Sequence, residues 1–182
     1  MSSSILKTVI HIVVFAAATL TLSNCSRSDA ESEPQRFAHQ APEFVGLDGW
    51  LNSAPLKMSA LRGKVVLVEF WTHGCINCIR VLPHVSRWHQ SYKDRGLVIV
   101  GVHTPESSAE NSRASIQAAI ERFGIQYPVA LDSASKTWDA FGNRYWPALY
   151  LIDRNGFIVM KHYGEGDYEQ TEARIRALLG DR

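Results

Sequence analysis

The chain has 182 residues, of which 46% are hydrophobic and 20% are charged. This balance is typical of a globular protein and excludes wholesale disorder, a collagen-like repeat and a disulfide-dense mini-scaffold. The 19 Lys and Arg residues against 18 Asp and Glu residues give a net charge of +1, so no strong positive field points to nucleic acid. The three cysteines cannot all pair with one another, and they divide into Cys25 alone and the close pair Cys75 and Cys78.

Residues 1–24 are predicted to be a signal peptide of the lipoprotein type. A basic residue precedes the apolar run 9–22, which is shorter than the roughly 20 residues that a membrane-spanning helix needs. The run ends in the tetrapeptide LSNC, which resembles a bacterial lipobox and implies that its cysteine, Cys25, becomes the lipidated first residue of the mature chain. A plain cleaved signal peptide and an uncleaved N-terminal anchor are the alternatives. All three place the folded domain outside the cytoplasm.

A polar segment separates the signal peptide from the folded domain. Residues 25–41 are rich in charged and polar side chains and have too little apolar surface to fold, so they are predicted to be a flexible tether. The domain is predicted to span residues 42–182. Its first element is predicted to be a small N-terminal β-hairpin at 44–50, because apolar residues alternate around the turn signal Asp48-Gly49.

Strands alternate with helices through the rest of the domain. Near-continuous apolar runs predict buried strands, and apolar residues at helical spacing predict amphipathic helices. Strands are predicted at 65–71, 97–102, 129–131, 148–152 and 157–162, with a hairpin turn at 153–156. Helices are predicted at 76–92 with a kink at Pro83, and at 112–123, 136–141 and 168–179. This order predicts an α/β fold of three layers around a mixed central sheet.

The sequence Cys75-Ile76-Asn77-Cys78 is a CxxC motif at the junction of a buried strand and a helix. At such a junction the unpaired N–H groups and the dipole of the helix favour the thiolate form of Cys75, and the thiolate is the species that attacks a disulfide. Cys78 follows about one turn later and can close a disulfide with Cys75 or resolve a mixed one. A structural disulfide and half of a metal site are the alternatives, but the sequence has no second CxxC.

Further residues near the motif support redox chemistry. Glu69 lies in an otherwise apolar strand, where a buried carboxylate is costly, and the raised pKa expected from burial suits proton exchange with the second cysteine. Pro83 is predicted to help to present the motif through its kink. Trp146-Pro147 precedes an apolar strand, and an X-Pro bond there is a candidate for the cis form. Trp71 and Trp146 are predicted to pack beside the motif.

Together these residues resemble the thioredoxin superfamily. The similarity comprises the buried acid, the FW pair, the CxxC motif, the kinking proline and the later proline, at thioredoxin-like spacing. The N-terminal hairpin, the run 61–71 and the helix inserted between the second and third core strands resemble the TlpA/ResA-like extracytoplasmic branch, whose domains are also called redoxin or AhpC/TSA-type. Within that branch the chain is similar to the thioredoxin-like domain of DipZ-type proteins, on the segments 70–80, 101–106, 145–153 and 164–166.

The resemblance implies a thioredoxin-like fold in which Cys75 is the exposed nucleophile, Cys78 is the resolving thiol and Pro147 is a cis-proline against the pair. It implies an extracytoplasmic thiol–disulfide oxidoreductase, and no cofactor is predicted. In an oxidising compartment a reductase needs electrons from a membrane partner, for which the resemblance implies a CcdA/DsbD-like donor. Apocytochrome c and other oxidised secreted proteins are the candidate clients.

A thiol peroxidase of the peroxiredoxin type is a rival interpretation. The TxxC pattern that begins at Thr72 and ends at Cys75 matches part of the peroxiredoxin motif. Val68, however, stands where that motif has a proline. Mutation of the second cysteine separates the two functions, because a peroxidase with one cysteine still reduces peroxide with an external thiol.

A metal-binding chaperone module is the non-enzymatic rival. His73, His84 and His89 lie near the cysteine pair in the sequence. His84 and His89 are not one helical turn apart, so they do not form the usual pair on one helix face. They are interpreted as surface histidines, with His73 a candidate for tuning the thiolate. Glu106, in the loop after a core strand, is a candidate to serve the site, although an ordinary loop acid is the favoured interpretation.

Overall fold

The computed structural model describes residues 39–180. The predicted signal peptide 1–24, the predicted lipidation site Cys25 and most of the predicted tether lie outside the described residues. Between residues 39 and 180, no helix is long and apolar enough to cross a membrane.

Seven strands form one mixed sheet. They are β1 (His39–Gln40), β2 (Gly49–Leu51), β3 (Val65–Trp71), β4 (Leu97–His103), β5 (Val129–Leu131), β6 (Ala148–Ile152) and β7 (Phe157–Tyr163). Their order across the sheet is β1-β7-β6-β3-β4-β5-β2. The strands β3, β4 and β5 are parallel, whereas β6 runs antiparallel to β3 and β7 runs antiparallel to β6. β3 is paired on both sides and buried along its whole length. This accounts for the almost continuous run of apolar residues in its sequence.

Four helices complete the α/β architecture that the sequence predicts. They are α1 (Ile76–Tyr92), α2 (Arg113–Phe123), α3 (Lys136–Ala140) and α4 (Tyr168–Leu179). The inserted helix α2 begins after Ser112, whose side chain accepts a hydrogen bond from the backbone N–H of Ser115. It ends at Gly124, which has a left-handed φ of 65° that favours glycine. The predicted bounds of all four helices are confirmed to within one residue.

The side chains of β3 alternate between two cores, one on each face of the sheet. Leu67 and Trp71 belong to the core that side chains of α1, α2 and α4 complete. The intervening Val66, Val68 and Phe70 belong to the opposite core, which includes Trp138 of α3. Because successive side chains of a strand point to opposite faces, Glu69 lies on the same face as Leu67 and Trp71. This is the face covered by α1, which carries Cys78.

The predicted N-terminal hairpin at 44–50 is wrong. β2 pairs with β5 at one edge of the sheet, and β1 pairs with β7 at the other edge, so the two N-terminal strands never meet. The apolar side chains that suggested a hairpin instead pack onto the sheet face near α3. Phe44 stacks on Phe141 with ring centroids 6.5 Å apart, and the backbone N–H of Val45 donates to Oγ1 of Thr137 at 2.9 Å. The sheet also begins at His39, inside the range predicted as tether.

Asp132 joins the start of α3 to the end of β4. This buried carboxylate accepts hydrogen bonds from the backbone N–H groups of Thr137 and Trp138 and from Oγ1 of Thr104, at 3.0, 2.9 and 3.1 Å. We expect Asp132→Ala to lower the free energy of unfolding by about 3 kcal/mol, because these buried donors lose their acceptor. Urea unfolding measures the loss, with the exposed Asp139→Ala as control. A loss at position 132 no larger than the control's would contradict the prediction.

Candidate active site

The CxxC motif lies where β3 passes into α1. Cys75 is the N-cap residue of α1, and its Sγ accepts a hydrogen bond from the backbone N–H of Cys78 at 3.1 Å. The two cysteines form a disulfide, with their Cα atoms 5.2 Å apart. The predicted position of the first cysteine at a helix N-terminus is therefore confirmed, where unpaired N–H groups stabilise a thiolate. Residues 72–78 are referred to below as the redox turn.

The two cysteines differ in their access to solvent. Cys75 is half-buried, whereas Cys78 is fully buried. Ile76, between them, is 59% exposed and marks the open side of the redox turn. Cys75 is therefore the cysteine that a disulfide on another protein can approach, because Cys78 has no exposed surface.

Glu69 is a buried acid on the α1 side of the sheet. Its Oε2 accepts a hydrogen bond from the hydroxyl of Tyr127 at 2.9 Å, and its Oε1 has no partner among the described residues. Burial raises the pKa of Glu69 to about 7, and the hydrogen bond from Tyr127 partly opposes this rise. The group can therefore take up or release a proton near neutral pH, as proton exchange with Cys78 would require. That role remains a prediction.

The Trp146–Pro147 peptide bond is cis. Pro147 is buried, and its carbonyl accepts a hydrogen bond from the backbone N–H of Gly164 at 2.9 Å. The indole Nε1 of Trp146 donates to the carbonyl of Thr104 at 2.9 Å, which ties this segment to the end of β4. The predicted contact of Pro147 with the cysteine pair remains a prediction.

Trp71, the other predicted site residue, is completely buried. Its ring packs edge-on against the ring of His103, with centroids 5.2 Å apart. A side chain in this position has no access to a partner protein. Its assignment to the site remains a prediction. A role of Trp71 in the reaction would act through the residues that it packs against.

A polar cluster that the sequence did not predict forms around the first two residues of the redox turn. Oγ1 of Thr72 donates to Oε2 of Glu110 at 2.6 Å and lies 3.3 Å from Nε2 of His103. The rings of His73 and His103 stack with centroids 5.4 Å apart. Burial lowers the pKa of His103 to about 4, so this ring is neutral at physiological pH.

The acid that contacts the redox turn is Glu110, not Glu106. The side chain of Glu106 is exposed, and only its backbone N–H takes part, donating to Oε2 of Glu110 at 2.9 Å. Burial alone would raise the pKa of Glu110, but the hydrogen bonds from Thr72 and Glu106 and the nearby histidines lower it on balance. The Glu110 carboxylate is therefore charged at neutral pH. No local pattern marks this residue, because the contact depends on how the loop before α2 folds back.

The three histidines that suggested a metal site do not converge. His84 stacks on the ring of Tyr168 with centroids 3.6 Å apart, and His89 lies edge-on to Tyr127. Within the part of the chain that the structure describes, no group of three or more His, Cys, Asp or Glu side chains could hold a metal ion.

Comparisons with known proteins identify relatives of this domain. A family model described as the AhpC/TSA family matches residues 37–161. The chain is 46% identical over 168 residues to Protein DipZ of Mycobacterium tuberculosis, an alignment that covers 91% of this chain and 24% of that protein. It is 27% identical over 149 residues to the thiol-disulfide oxidoreductase ResA of Bacillus anthracis, with 82% of each chain covered. The chain thus spans about a quarter of the length of DipZ and most of the length of ResA.

A solved structure confirms the fold. The thioredoxin domain of a thiol-disulfide oxidoreductase from Bacteroides vulgatus matches with a TM-score of 0.62 and 26% sequence identity. The match covers 76% of this chain and 97% of that domain. The thioredoxin-like architecture predicted from the sequence is therefore correct.

Proposed function

Because this chain belongs to the AhpC/TSA family and has a thioredoxin-like fold, we propose that it is a thiol–disulfide oxidoreductase that reduces protein disulfides outside the cytoplasm. The proposal depends above all on the disulfide between Cys75 and Cys78. Cys75 is half-buried at a helix N-terminus, and Cys78 is fully buried one turn later. This arrangement suits an attacking thiol and a resolving thiol.

The reduced pair begins the cycle. The thiolate of Cys75 attacks one sulfur of a client disulfide, forms a mixed disulfide, and releases the other client sulfur as a thiolate that takes up a proton. Cys78 then transfers its proton to the carboxylate of Glu69, and its thiolate attacks Sγ of Cys75. The second client sulfur leaves as a thiolate and takes up a proton from water, and Glu69 releases to water the proton that it accepted. The client has gained two electrons and two protons, and Cys75 and Cys78 are joined as the disulfide.

Exposed apolar side chains at this end of the sheet suit a polypeptide client, because Phe70, just before the redox turn, pairs with Ala148, just after Pro147. Ile76 is 59% exposed, and Tyr145 and Tyr163 are 56% and 43% exposed. The two tyrosine rings contact each other with centroids 5.2 Å apart, close to the segment that contains Pro147. An unfolded or extended client segment can cover this apolar surface while its disulfide meets Cys75.

A membrane donor of the CcdA/DsbD type is the proposed source of electrons. Each turnover leaves the pair oxidised, and an oxidising compartment does not reduce it again. The predicted signal peptide supports this location, and the predicted lipid on Cys25, or an uncleaved N-terminal anchor, would hold the domain near such a donor. Apocytochrome c and other oxidised secreted proteins are the proposed clients.

A thiol peroxidase is the second candidate, favoured by the match to the AhpC/TSA family. Two features of the site oppose it. The hydroxyl of Thr72, the residue shared with the peroxiredoxin motif, donates to Glu110. Cys75 is already paired with Cys78, which is the arrangement of a dithiol reductant.

The full chain in its reduced form tests these functions directly. We expect it to reduce the disulfides of insulin much faster than it consumes hydrogen peroxide, because its exposed apolar surface favours polypeptides. We also expect the reduction potential of the cysteine pair to lie well below about −120 mV, the value of a strong oxidant. A potential near or above that value would contradict the reducing direction, and faster turnover of peroxide than of insulin would favour the peroxidase.

A further inference from the structure

Gly74, the residue before the attacking cysteine, leaves a space that Glu110 fills. A Cβ atom at position 74 would overlap Oε1 of Glu110, and apart from its chain neighbours no other described residue has an atom within 4 Å of that Cβ position. Gly74 is not among the glycines with a positive φ. A side chain at this position therefore requires the Glu110 carboxylate to move, whereas the backbone conformation does not oppose it.

The carboxylate of Glu110 is held in this position by its other oxygen. Oε2 accepts hydrogen bonds from Oγ1 of Thr72 at 2.6 Å and from the backbone N–H of Glu106 at 2.9 Å. Oε1 is thereby directed at Gly74. Thr72 belongs to the redox turn and Glu106 to the loop before α2, so Glu110 connects the two segments and brings a negative charge to the residue next to Cys75.

We propose that Glu110 is a positioning residue that fixes the redox turn and lowers the reduction potential of the Cys75–Cys78 pair. The helix N-terminus stabilises the thiolate of Cys75 and therefore the reduced pair, which by itself favours an oxidant. A carboxylate beside Gly74 repels that thiolate and favours the disulfide. The pair is thereby kept a reductant. This inference rests on the redox activity proposed above and supplies a physical reason for its direction.

Glu110→Gln in the full chain separates the charge of Glu110 from its shape. Glutamine keeps an oxygen that accepts from Thr72 but loses the negative charge. We expect the equilibrium constant with glutathione to shift threefold to tenfold towards the dithiol, where tenfold corresponds to about 30 mV. The matched control is Glu106→Gln, which removes the same charge from an exposed side chain of the same loop. It is expected to change the equilibrium constant with glutathione less than twofold. Equal potentials in wild type and Glu110→Gln would overturn the inference.

Gly74→Ala tests the contact itself. The new Cβ displaces the flexible end of Glu110. We therefore expect the equilibrium constant with glutathione to shift towards the dithiol, as it is also expected to do in Glu110→Ala. Because both substitutions remove one contact, their effects are expected not to add in the double variant. Additive shifts, or no shift in Gly74→Ala, would show that Glu110 does not act at Gly74.

The same titration distinguishes this inference from the proposed function. A wild-type pair that does not titrate against glutathione would overturn the redox function and this inference with it. A wild-type pair that titrates, with the same potential in every variant, would overturn only the role of Glu110.

Discussion

Cys78→Ser is expected to stop the reaction at a mixed disulfide between Cys75 and the client. Cys75 is only half-buried and its thiol is expected still to attack, but the buried sulfur of Cys78 that would release the client is absent. The variant should accumulate a covalent adduct that survives non-reducing electrophoresis and disappears with dithiothreitol. Its steady-state rate should fall by roughly a thousandfold or more, since the release step then depends on an external thiol.

Two serine variants serve as controls for the adduct. Cys75→Ser removes the accessible thiol and is expected to form no adduct and to have no activity above background. Cys25→Ser, placed in the Cys78→Ser background, leaves Cys75 unchanged and is expected to form as much adduct as the single variant. If Cys75→Ser formed an adduct, or if adding Cys25→Ser to Cys78→Ser abolished the adduct, Cys75 would not be the nucleophile.

Glu69→Gln is expected to remove a pH-dependent loss of stability. The pKa of Glu69 is about 7 in the folded protein, against an ordinary value of 4.5. Between these two values the folded state keeps its proton while the unfolded state loses it, so the free energy of unfolding falls as the pH rises. The loss amounts to about 3 kcal/mol and is complete above neutral pH. Glutamine is uncharged throughout and does not suffer this loss.

Urea unfolding of the oxidised protein at several pH values measures this effect. The variant is expected to match the wild type near pH 4 and to exceed its free energy of unfolding by about 3 kcal/mol at pH 8. The difference between the two proteins isolates Glu69, because the other titrating groups are common to both. A difference that does not grow with pH would show that Glu69 does not have a raised pKa.

The same substitution is expected to slow disulfide exchange. A buried acid that accepts the proton of Cys78 contributes on the order of a hundredfold to the rate, and glutamine cannot accept it. Tyr127→Phe is the matched variant, because the hydrogen bond from Tyr127 lowers the pKa of Glu69. Its pH–rate profile should move to higher pH with the maximal rate largely kept. Profiles that coincide in all three proteins would exclude Glu69 from the proton transfer.

Local patterns in the sequence were sufficient to predict most elements of the fold. The apolar run of β3 and the spacing in the four helices gave the correct type and nearly the correct bounds, because burial on one or both faces leaves a periodic signal. The prediction of an N-terminal hairpin was wrong because this periodic signal reports burial and not the partner of the buried face. Alternating apolar residues show that one face is buried but not what covers it, and here the cover is Phe141 and Thr137, far along the chain.

The order of residues along the chain was enough to predict the reactive groups of the site. The strand–CxxC–helix order placed Cys75 at a helix N-terminus, and the lone acid in an apolar strand identified Glu69 as buried. The groups that contact Glu69 and the redox turn come from distant parts of the chain. Tyr127 reaches Glu69 across 58 residues of chain, and Glu110 reaches Thr72 across 38. A contact made by one side chain of a distant loop produces no periodic pattern or fixed spacing in the sequence. It can therefore be seen only in the folded structure. The three cysteines of the sequence thus indicated a redox pair, and the charge that Glu110 brings beside that pair became apparent only in the fold.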